Sequence, residues 1–322
     1  MAFSSIPIID IGGLRSKDLG DRKAVAEQIR QASRNAGFFY IANHGVSESL
    51  IAQTFAEAKR FFDLPLAVKA EVSSVHSSIS RGYDPLKAQS LDIDAQPDLK
   101  ESFYMGIDRS PDDPLVRAGL PNHGANLWPS NSPGWRSHLE EYFAAAIDLA
   151  RQLACGLALS LDLDEHYFDP LMDNPMPILR LLHYPPHPAQ AQSDEYGCGT
   201  HTDWGFLTIL LQDRAGGLEV CTPEGEWIPA KPIPGTFVIN LGDMMARWTN
   251  DFYQSTPHRV INRSGQERYS IPFFWDINYH AVVECLPTCQ SAHNPPKYAP
   301  ITAGEHIVEM YRQTTVATAG KT

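Results

Sequence analysis

The sequence predicts an α+β fold in which helices brace a core of short strands, arranged as a double-sheet jelly roll or barrel. Two observations predict this class. Apolar residues at helical spacing lie mainly in the first half of the 322-residue chain, whereas closely spaced β-rich runs between Gly, Pro and Asp turns begin at Ile178. With 43% hydrophobic residues, the chain can bury a large core, as one domain or with a helical companion domain.

The first half of the chain is predicted to be mainly helical, with two short strands. In chain order, the predicted elements are a strand over 6–10, a helix over 21–36 that ends at Gly37, a buried strand over 37–45, a helix after Ser47 and a long helix from 135 to about 161. Residues 106–133 hold many of the Pro, Asp, Asn and Gly residues, which predicts an irregular connection.

The second half contains the candidate strands of the core, each short and bounded by turn residues. Their sequences, in chain order, are ILRLLHY, FLTILLQ, LEVC, TFVINL, HRVIN, SIPFFW and AVVEC. We expect the jelly roll to extend from about residue 175 to 285. His201 and Asp203 should lie at the edge of one strand, with His258 across the barrel.

Charge and cysteine content exclude several classes of protein. The net charge of −12 argues against a nucleic-acid partner or an anionic membrane surface. The five cysteines form no C-x-x-C pair, so neither a disulfide framework nor a zinc knuckle is indicated. No signal-peptide pattern and no long uninterrupted apolar run is found, which predicts no membrane partner. We therefore expect a cytoplasmic protein.

A cluster of polar residues precedes one of the apolar strands, in the sequence HTDWG at 201–205. Residues i and i+2 of a strand point the same way, so His201 and Asp203 are expected to project together. His258 opens another β-like run and offers a third ligand. Two His and one carboxylate on one face of an octahedron leave open positions, as in non-haem Fe(II) oxygenases. Zinc hydrolysis is the alternative for the same ligands.

A candidate carboxylate anchor lies ten residues beyond His258, in the sequence RYS. Strand geometry points Arg268 and Ser270 the same way, so that a guanidinium fork and a hydroxyl suit one carboxylate. The phenol of Tyr184 could donate a third hydrogen bond to that group. An acid anchor near a metal implies a co-substrate that carries a carboxylate.

The chain resembles the 2-oxoglutarate- and Fe(II)-dependent dioxygenases of the isopenicillin N synthase-like superfamily over nearly its whole length. The resemblance rests on IPIIDI and GFFYIANHGV, on RGYDP and LKESFYMG, and on H-x-D, the distal His and R-x-S in that order. The segment GDMMARWTNDFYQSTPHRV is similar to the one that leads into the family's third ligand. Plant members usually have Asn where this chain has Leu182, so the chain is closer to the bacterial and fungal branches.

The resemblance implies a double-stranded β-helix, a distorted jelly roll, braced by N-terminal helices. It implies Fe(II) bound by His201, Asp203 and His258. Arg268, Ser270 and Tyr184 would hold the distal carboxylate of 2-oxoglutarate. The reaction would use O2, with ascorbate as a stimulant, and oxidise a small organic substrate while releasing succinate and CO2. Hydroxylation is the commonest outcome in the family, although desaturation, ring closure and epoxidation use the same ligands.

The resemblance also divides the chain into four parts. They are the N-terminal helical and strand region over 1–120, a connecting segment and long helix over 121–174, the catalytic jelly roll over 175–285, and a C-terminal extension with a helix over 286–322.

Three alternatives stay open at this stage. An isopenicillin N synthase-type oxidase also carries R-x-S but needs no 2-oxoglutarate, and release of succinate would separate the two. An ethylene-forming-type enzyme fragments 2-oxoglutarate itself. A non-catalytic binding protein on the same fold should have a damaged triad, whereas all three ligand residues are present here. Neither the organic substrate nor the oligomeric state follows from the sequence.

Other side chains are candidates for the substrate cavity. Arg180 shares a strand face with Tyr184, so it either grips an acidic substrate or forms a salt bridge at the rim. Trp204 either shields the site or fills the core, and with Phe274 it is expected to line a cavity that has few charges beyond Arg180. This favours a small to medium-sized organic substrate.

Three further residues were considered for the same region. Tyr83 and Phe103 lie in segments that border the substrate in the similar family. His183 should point away from Tyr184 and is interpreted as structural.

Overall fold

The structure, a computed structural model, describes residues 3–92, 96–130, 132–187 and 196–319, with side chains as far as residue 312. Its helices are α1 (Leu19–Asn35), α2 (Glu48–Phe62), α3 (Leu66–Ala70), α4 (Pro114–Arg117), α5 (Trp135–Ser160), α6 (Asp243–Trp248) and α7 (Ala303–Ala319). Its strands are β1 (Ile8–Asp10), β2 (Phe38–Ala42), β3 (Gly82–Asp84), β4 (Glu101–Gly106), β5 (Ile178–Tyr184), β6 (Cys198–His201), β7 (Leu207–Gln212), β8 (Leu218–Cys221), β9 (Trp227–Pro229), β10 (Phe237–Leu241), β11 (His258–Val260), β12 (Arg268–Trp275), β13 (Val282–Val283) and β14 (Ile301–Thr302).

Two sheets form the core of the fold. The larger sheet has eight strands in the order β1-β2-β10-β7-β12-β5-β4-β3, and the smaller has four in the order β6-β11-β8-β9. From β5 to β12 the chain passes repeatedly between the two sheets, and the strand pairs that these eight strands make with one another are antiparallel. The predicted α+β fold with a jelly-roll core is confirmed.

The N-terminal half contributes strands as well as helices. Strands β1 and β2 extend the larger sheet beyond β10, and β3 and β4 extend it beyond β5. The sequence analysis assigned no strand to β3 or β4, and it also missed the short strands β6 and β9. The irregular connection predicted over 106–133 is interrupted, among its described residues, by the one-turn helix α4.

The predicted helix boundaries agree with local capping signals. Helix α1 begins two residues before the predicted start, because the carboxylate of Asp18 accepts a hydrogen bond from the backbone N–H of Gly20 at 2.7 Å. It is followed by Gly37, whose φ of +64° lies in the left-handed region. Helix α2 begins after Ser47, whose hydroxyl accepts from the N–H of Leu50 at 3.2 Å.

The long helix α5 lies against the core of the protein. Its buried residues include Trp135, Leu139 and Tyr142, and it contacts α1, α2 and the larger sheet. Within the described ranges, α5 is the one helix whose length and composition would permit it to cross a membrane. However, 56% of the qualifying window is buried inside the structure, as expected of a core helix.

Candidate active site

The three candidate metal ligands come together at one end of the smaller sheet. His201 is the last residue of β6, His258 is the first residue of β11, and the two are directly opposite in the antiparallel pair. The Nε2 atom of each imidazole lies 3.8 Å from Oδ1 of Asp203. The expectation that His258 lies across the barrel is wrong, since β6 and β11 are neighbours in the same sheet.

Asp203 is positioned by hydrogen bonds and not by strand alternation. Strand β6 ends at His201, so the argument that residues i and i+2 share a face of one strand does not apply. The backbone carbonyl of Asp203 accepts from the N–H of Asp243 at 2.8 Å. Its Oδ2 accepts from Thr208 Oγ1 at 2.5 Å and from Asn240 Nδ2 at 2.6 Å. These bonds hold the carboxylate so that Oδ1 lies near both imidazoles.

Hydrogen bonds also define the protonation of the two imidazoles. Nδ1 of His201 lies 2.8 Å from the carbonyl of Gly199, and Nδ1 of His258 lies 3.2 Å from that of Thr256. A carbonyl only accepts, so we assign the proton to Nδ1, which leaves a lone pair on each Nε2. Burial lowers the pKa of both imidazoles, that of His258 to about 4, so both are neutral at pH 7.

The carboxyl of Asp203 is ionised although it is buried. Burial favours its neutral form, but the attraction of the two imidazoles in their protonated forms and the hydrogen bonds from Asn240 and Thr208 outweigh that effect and lower its pKa. At neutral pH the cluster therefore offers two neutral nitrogen ligands and one anionic oxygen ligand.

This donor set fits one divalent cation. The three ligand atoms lie within 4.8 Å of one another. Two ligands that each lie about 2.1 Å from a shared ion are at most about 4.2 Å apart, and both 3.8 Å separations fall below that limit. The other polar atoms of the ligands are bonded to the protein, as expected of a preorganised metal site. Two His and one carboxylate are the ligands of non-haem Fe(II) oxygenases.

The predicted carboxylate anchor is also assembled. Arg268 lies opposite Tyr184 in the β12–β5 pair, with its guanidinium carbon 4.6 Å from the centre of the Tyr184 ring. Its Nη1 donates to Ser270 Oγ at 3.1 Å, and its Nε donates to the carbonyl of Gly216 at 2.6 Å. Arg268 is only 1% exposed and forms no ion pair with a carboxylate of the described chain. The site therefore has a buried cation available for an anionic ligand.

A cavity of about 310 Å³ opens beside the candidate ligands. Its lining includes His201 and Asp203, the aromatic residues Tyr104, Trp204 and Phe274, and Arg180. Arg268, Ser270 and Tyr184, the candidate carboxylate anchor, are not among the residues that line this cavity. A volume of this size is at the lower end of small-molecule sites.

Comparison with protein families identifies the chain. The N-terminal region described as "non-haem dioxygenase in morphine synthesis" matches residues 6–131, and the "2OG-Fe(II) oxygenase superfamily" matches residues 175–277. The chain belongs to the 2OG-Fe(II) oxygenase superfamily. Among curated relatives, the 2-oxoglutarate-Fe(II) type oxidoreductase hxnY of Emericella nidulans is 40% identical, over 97% of this chain and 91% of its own length. The 2-oxoglutarate-dependent dioxygenase citB of Monascus ruber is 39% identical, over 94% of each chain.

Solved structures extend the comparison to bound ligands. A full-length Neurospora crassa protein in complex with alpha-KG has a TM-score of 0.86 and is 31% identical, with 96% of both chains covered. JOX2 in complex with 2OG, Fe and JA has a TM-score of 0.78 and is 30% identical, over 94% of this chain and 84% of that one. The oxygenase is accordingly a 2-oxoglutarate-dependent Fe(II) dioxygenase that acts on a small molecule. The zinc-hydrolase, plain-oxidase and non-catalytic alternatives are disfavoured.

The cavity of the dioxygenase is more acidic than the sequence analysis expected. Asp84 and Asp276 line it in addition to Asp203. The expectation of few charges besides Arg180 is therefore wrong. Asp84 accepts a hydrogen bond from Ser74 Oγ. Asp276 accepts from the N–H of Phe206 at 3.0 Å, and burial raises its pKa to about 7. The position of Asp276 immediately after β12, beside the HTDWG segment, had no signal in the sequence.

Trp204 and Phe274 line the cavity as expected, whereas Tyr83 and Phe103 do not. Tyr83 and Phe103 are buried in the core, where the phenol of Tyr83 donates to Glu101 Oε2 at 2.6 Å and Phe103 packs on aromatic rings of α2 and α5. Their neighbours in sequence, Asp84 and Tyr104, face the cavity instead, because successive residues of β3 and β4 point to opposite sides.

His183 has the structural role that the sequence predicted. Its Nδ1 lies 2.7 Å from Glu101 Oε1, and its ring stacks on Tyr269 at 4.8 Å between centroids. Helix α7 was predicted as part of the C-terminal extension, but its contact with the cavity was missed. Ile307 and Tyr311 of α7 line the cavity, and His306 Nε2 lies 2.9 Å from the carbonyl of Trp204.

Proposed function

We propose that this dioxygenase hydroxylates a small organic molecule in the cytoplasm. In the proposed site, His201, Asp203 and His258 hold Fe(II), while Arg268, Ser270 and Tyr184 hold the distal carboxylate of 2-oxoglutarate. When bound, iron and 2-oxoglutarate supply the oxidation, in which O2 gives one oxygen atom to succinate and the other to the product, with loss of CO2. The protein binds these groups, orients the substrate and limits access of water.

The observation that carries the proposal is the burial of Arg268 without a carboxylate partner among the residues that the structure describes. A buried guanidinium is costly unless it is paired, and a planar fork matches a carboxylate in a bidentate contact. The hydroxyl of Ser270 is already within hydrogen-bonding distance of the fork at 3.1 Å. The opposing ring of Tyr184 stabilises the cation further through its π-face.

Two residues of helix α7 support the role that we propose for the cavity. Ile307 and Tyr311 cover part of it, and the ring of Tyr311 meets that of Trp204 edge-on at 5.0 Å. These two side chains therefore form the part of the cavity wall next to Trp204.

Hydroxylation and the cytoplasmic location are proposed from one relative and from the state of the cysteines. Homoarginine-6-hydroxylase 2-ODD-233 of Oryza sativa subsp. japonica is 36% identical, over 95% of this chain and 96% of its own length. All five cysteines are free thiols, which suits a reducing compartment. The four-part division of the chain stays a prediction.

The anchor is tested by replacing Arg268. Arg268→Leu should weaken binding of 2-oxoglutarate by roughly thirtyfold or more, since removing one partner of a desolvated charge pair costs about 2–5 kcal/mol. The affinity of Arg268→Lys for 2-oxoglutarate should lie between those of the wild-type protein and Arg268→Leu, because lysine keeps the charge but loses the fork. Binding is measured anaerobically from the visible charge-transfer absorption of the Fe(II) complex. Fe(II) affinity should change little, and Arg263→Leu, at an exposed ion pair with Glu219, is the control.

The reaction itself is tested by product analysis. A substrate screen with Fe(II), 2-oxoglutarate and ascorbate, followed by mass spectrometry, should find a product that is heavier than the substrate by one oxygen. One molecule of succinate should be released for each molecule of product. A product lighter by two hydrogens would indicate desaturation or ring closure, and ethylene in the headspace would indicate fragmentation of 2-oxoglutarate. If Arg268→Leu left 2-oxoglutarate dependence unchanged but abolished substrate binding, the assignment of Arg268 as co-substrate anchor would be wrong.

A further inference from the structure

We propose that Arg180 is the substrate anchor of this dioxygenase and that the substrate is a small organic acid whose carboxylate pairs with it. The inference deepens the proposed function and rests on it, because it takes the metal site at His201 and Asp203 as the place of reaction. It assigns a second anion site, separate from the one that we propose for 2-oxoglutarate.

Arg180 is held at the wall of the cavity by its neighbours on β4. It lies opposite Tyr104 in the β4–β5 pair, and its guanidinium carbon is 4.4 Å from the centre of the Tyr104 ring. Its Nη2 donates to Gln89 Oε1 at 2.7 Å and to Ser102 Oγ at 3.2 Å. Arg180 is 7% exposed, and the cavity that it lines reaches the candidate iron ligands.

Among the described residues, the guanidinium has no anionic partner within ion-pair distance. Both of its hydrogen-bond acceptors are neutral, and its buried Nε has no partner in the structure. Nη1 likewise makes no hydrogen bond within the described ranges. The salt bridge at the rim that the sequence left open is not formed, since no carboxylate of the described chain pairs with Arg180. Arginine does not lose its proton in proteins, so the buried charge must be compensated in another way.

A carboxylate of the substrate provides that compensation. Among the described residues that line the cavity, Arg180 is the one with a permanent positive charge. The carboxylates of the lining repel an anion when they are ionised, and Asp84 already accepts a hydrogen bond from Ser74. Arg180 therefore offers an acid group in the cavity a cationic partner, with free N–H groups on the guanidinium. A neutral carbonyl could accept the same hydrogen bonds but would leave the charge unbalanced.

The rest of the cavity limits the size and chemical character of the part of the substrate that carries the carboxylate. Its volume of about 310 Å³ admits a molecule of one or two rings. Trp204 and Phe274 supply aromatic walls, and Tyr104 lies under the guanidinium. With the carboxylate held at Arg180, an apolar or aromatic body extends toward His201 and Asp203, where a C–H bond is presented for oxidation.

The test compares small carboxylic acids with their uncharged amides. Benzoate, phenylacetate, cinnamate and indole-3-acetate, each paired with its carboxamide, are titrated by calorimetry into anaerobic protein saturated with Fe(II) and 2-oxoglutarate. At least one acid should bind about thirtyfold more tightly than its amide, because the contact lies in a desolvated site. Arg180→Gln should abolish this preference, and Arg180→Lys should retain part of it. These measurements require binding only and no turnover.

Controls separate this inference from a folding defect and from the proposed function. Arg247 also has a buried Nε without a partner but lies outside the cavity, so Arg247→Gln should keep the preference for acids. Equal binding of acids and amides by the wild-type protein, no binding of any acid, or a preference that survives in Arg180→Gln would overturn the inference. If the wild-type complex with Fe(II) and 2-oxoglutarate gave the charge-transfer absorption in those cases, the proposed function would stand. Absence of that absorption in the wild-type protein would contradict the proposed function itself.

Discussion

The hydrogen bond from Asn240 to Asp203 should control how tightly the proposed metal site binds Fe(II). Asn240→Leu keeps the volume of this side chain, which is 2% exposed, but removes its donor. The bond of 2.6 Å ends on Oδ2 of an ionised carboxylate, and such a bond contributes about 1.5–3 kcal/mol. Its loss should weaken Fe(II) binding by about 10- to 100-fold, the range found for partners that orient metal ligands.

Thr208 offers a second variant of the same kind. It lies opposite Asn240 in the β10–β7 pair and donates to the same oxygen at 2.5 Å. Thr208→Val should therefore have a similar effect, and the double variant should lose more than the sum, because in each single variant the remaining donor still partly orients the carboxylate. Thr202→Val is a matched control, since the hydroxyl of Thr202 donates to Asp243 at 3.0 Å and not to Asp203.

The assay is anaerobic calorimetry of Fe(II) binding in the presence of a competing chelator, with unfolding followed separately by circular dichroism. If Asn240→Leu and Thr208→Val both bound Fe(II) as tightly as the wild-type protein while Asp203→Ala lost it, the orientation argument would be refuted. Asp203 would then act as a ligand without help from its neighbours.

Other predictions concern stability and pH. A Cβ atom at Gly205 would overlap Asp276 Oδ1, so Gly205→Ala should destabilise the fold by about 1–3 kcal/mol, measured by urea unfolding. Lys69→Met should lower the free energy of unfolding by about 3–5 kcal/mol, because it leaves buried Glu101 without the ammonium that lies 2.7 Å away. Tyr83→Phe removes one neutral donor to Glu101 and should lower the free energy of unfolding by about 1 kcal/mol. Burial alone would raise the pKa of Glu101, but hydrogen bonds from His183, Lys69 and Tyr83 outweigh burial and lower this pKa. Glu101 therefore stabilises the fold above its unfolded pKa of about 4.3, and this contribution should disappear as the pH falls through the folded pKa. A urea series from pH 7 to pH 3 should show that loss in the wild-type protein and a smaller one in Lys69→Met, and equal slopes would contradict the assignment.

The short-range patterns of the sequence were enough to select the candidate residues. His201 with Asp203, and Arg268 with Ser270, are each two positions apart, so the chain itself keeps their side chains close. The capping residues Asp18 and Ser47 and the positive φ at Gly37 act within a few residues of the helices that they delimit. Such capping residues can be recognised from the sequence without knowledge of the fold, because their effect depends on local backbone geometry alone.

Strand alternation could not decide which residues face the cavity. Strand β4 is buried over most of its length, on both sides, so polar and apolar residues do not alternate, and Phe103 and Tyr104 could not be told apart. Strand β6 has the sequence CGTH, which is too short to show a period, and Asp203 lies beyond its end. The structure brings Asp203 to both imidazoles, but not by the strand alternation from which the sequence selected it.

By itself, the sequence determined the fold class, the candidate ligand types and most strands of the jelly roll, because hydrophobic period and residue chemistry are properties of the chain. Only the tertiary structure decided that His258 pairs with His201, that Arg180 has no carboxylate partner in the described part of the chain, and that Asp276 and α7 border the cavity. These relations join residues tens to more than a hundred positions apart. They depend on strand register and sheet order, which the packing of the whole core sets and no local pattern encodes.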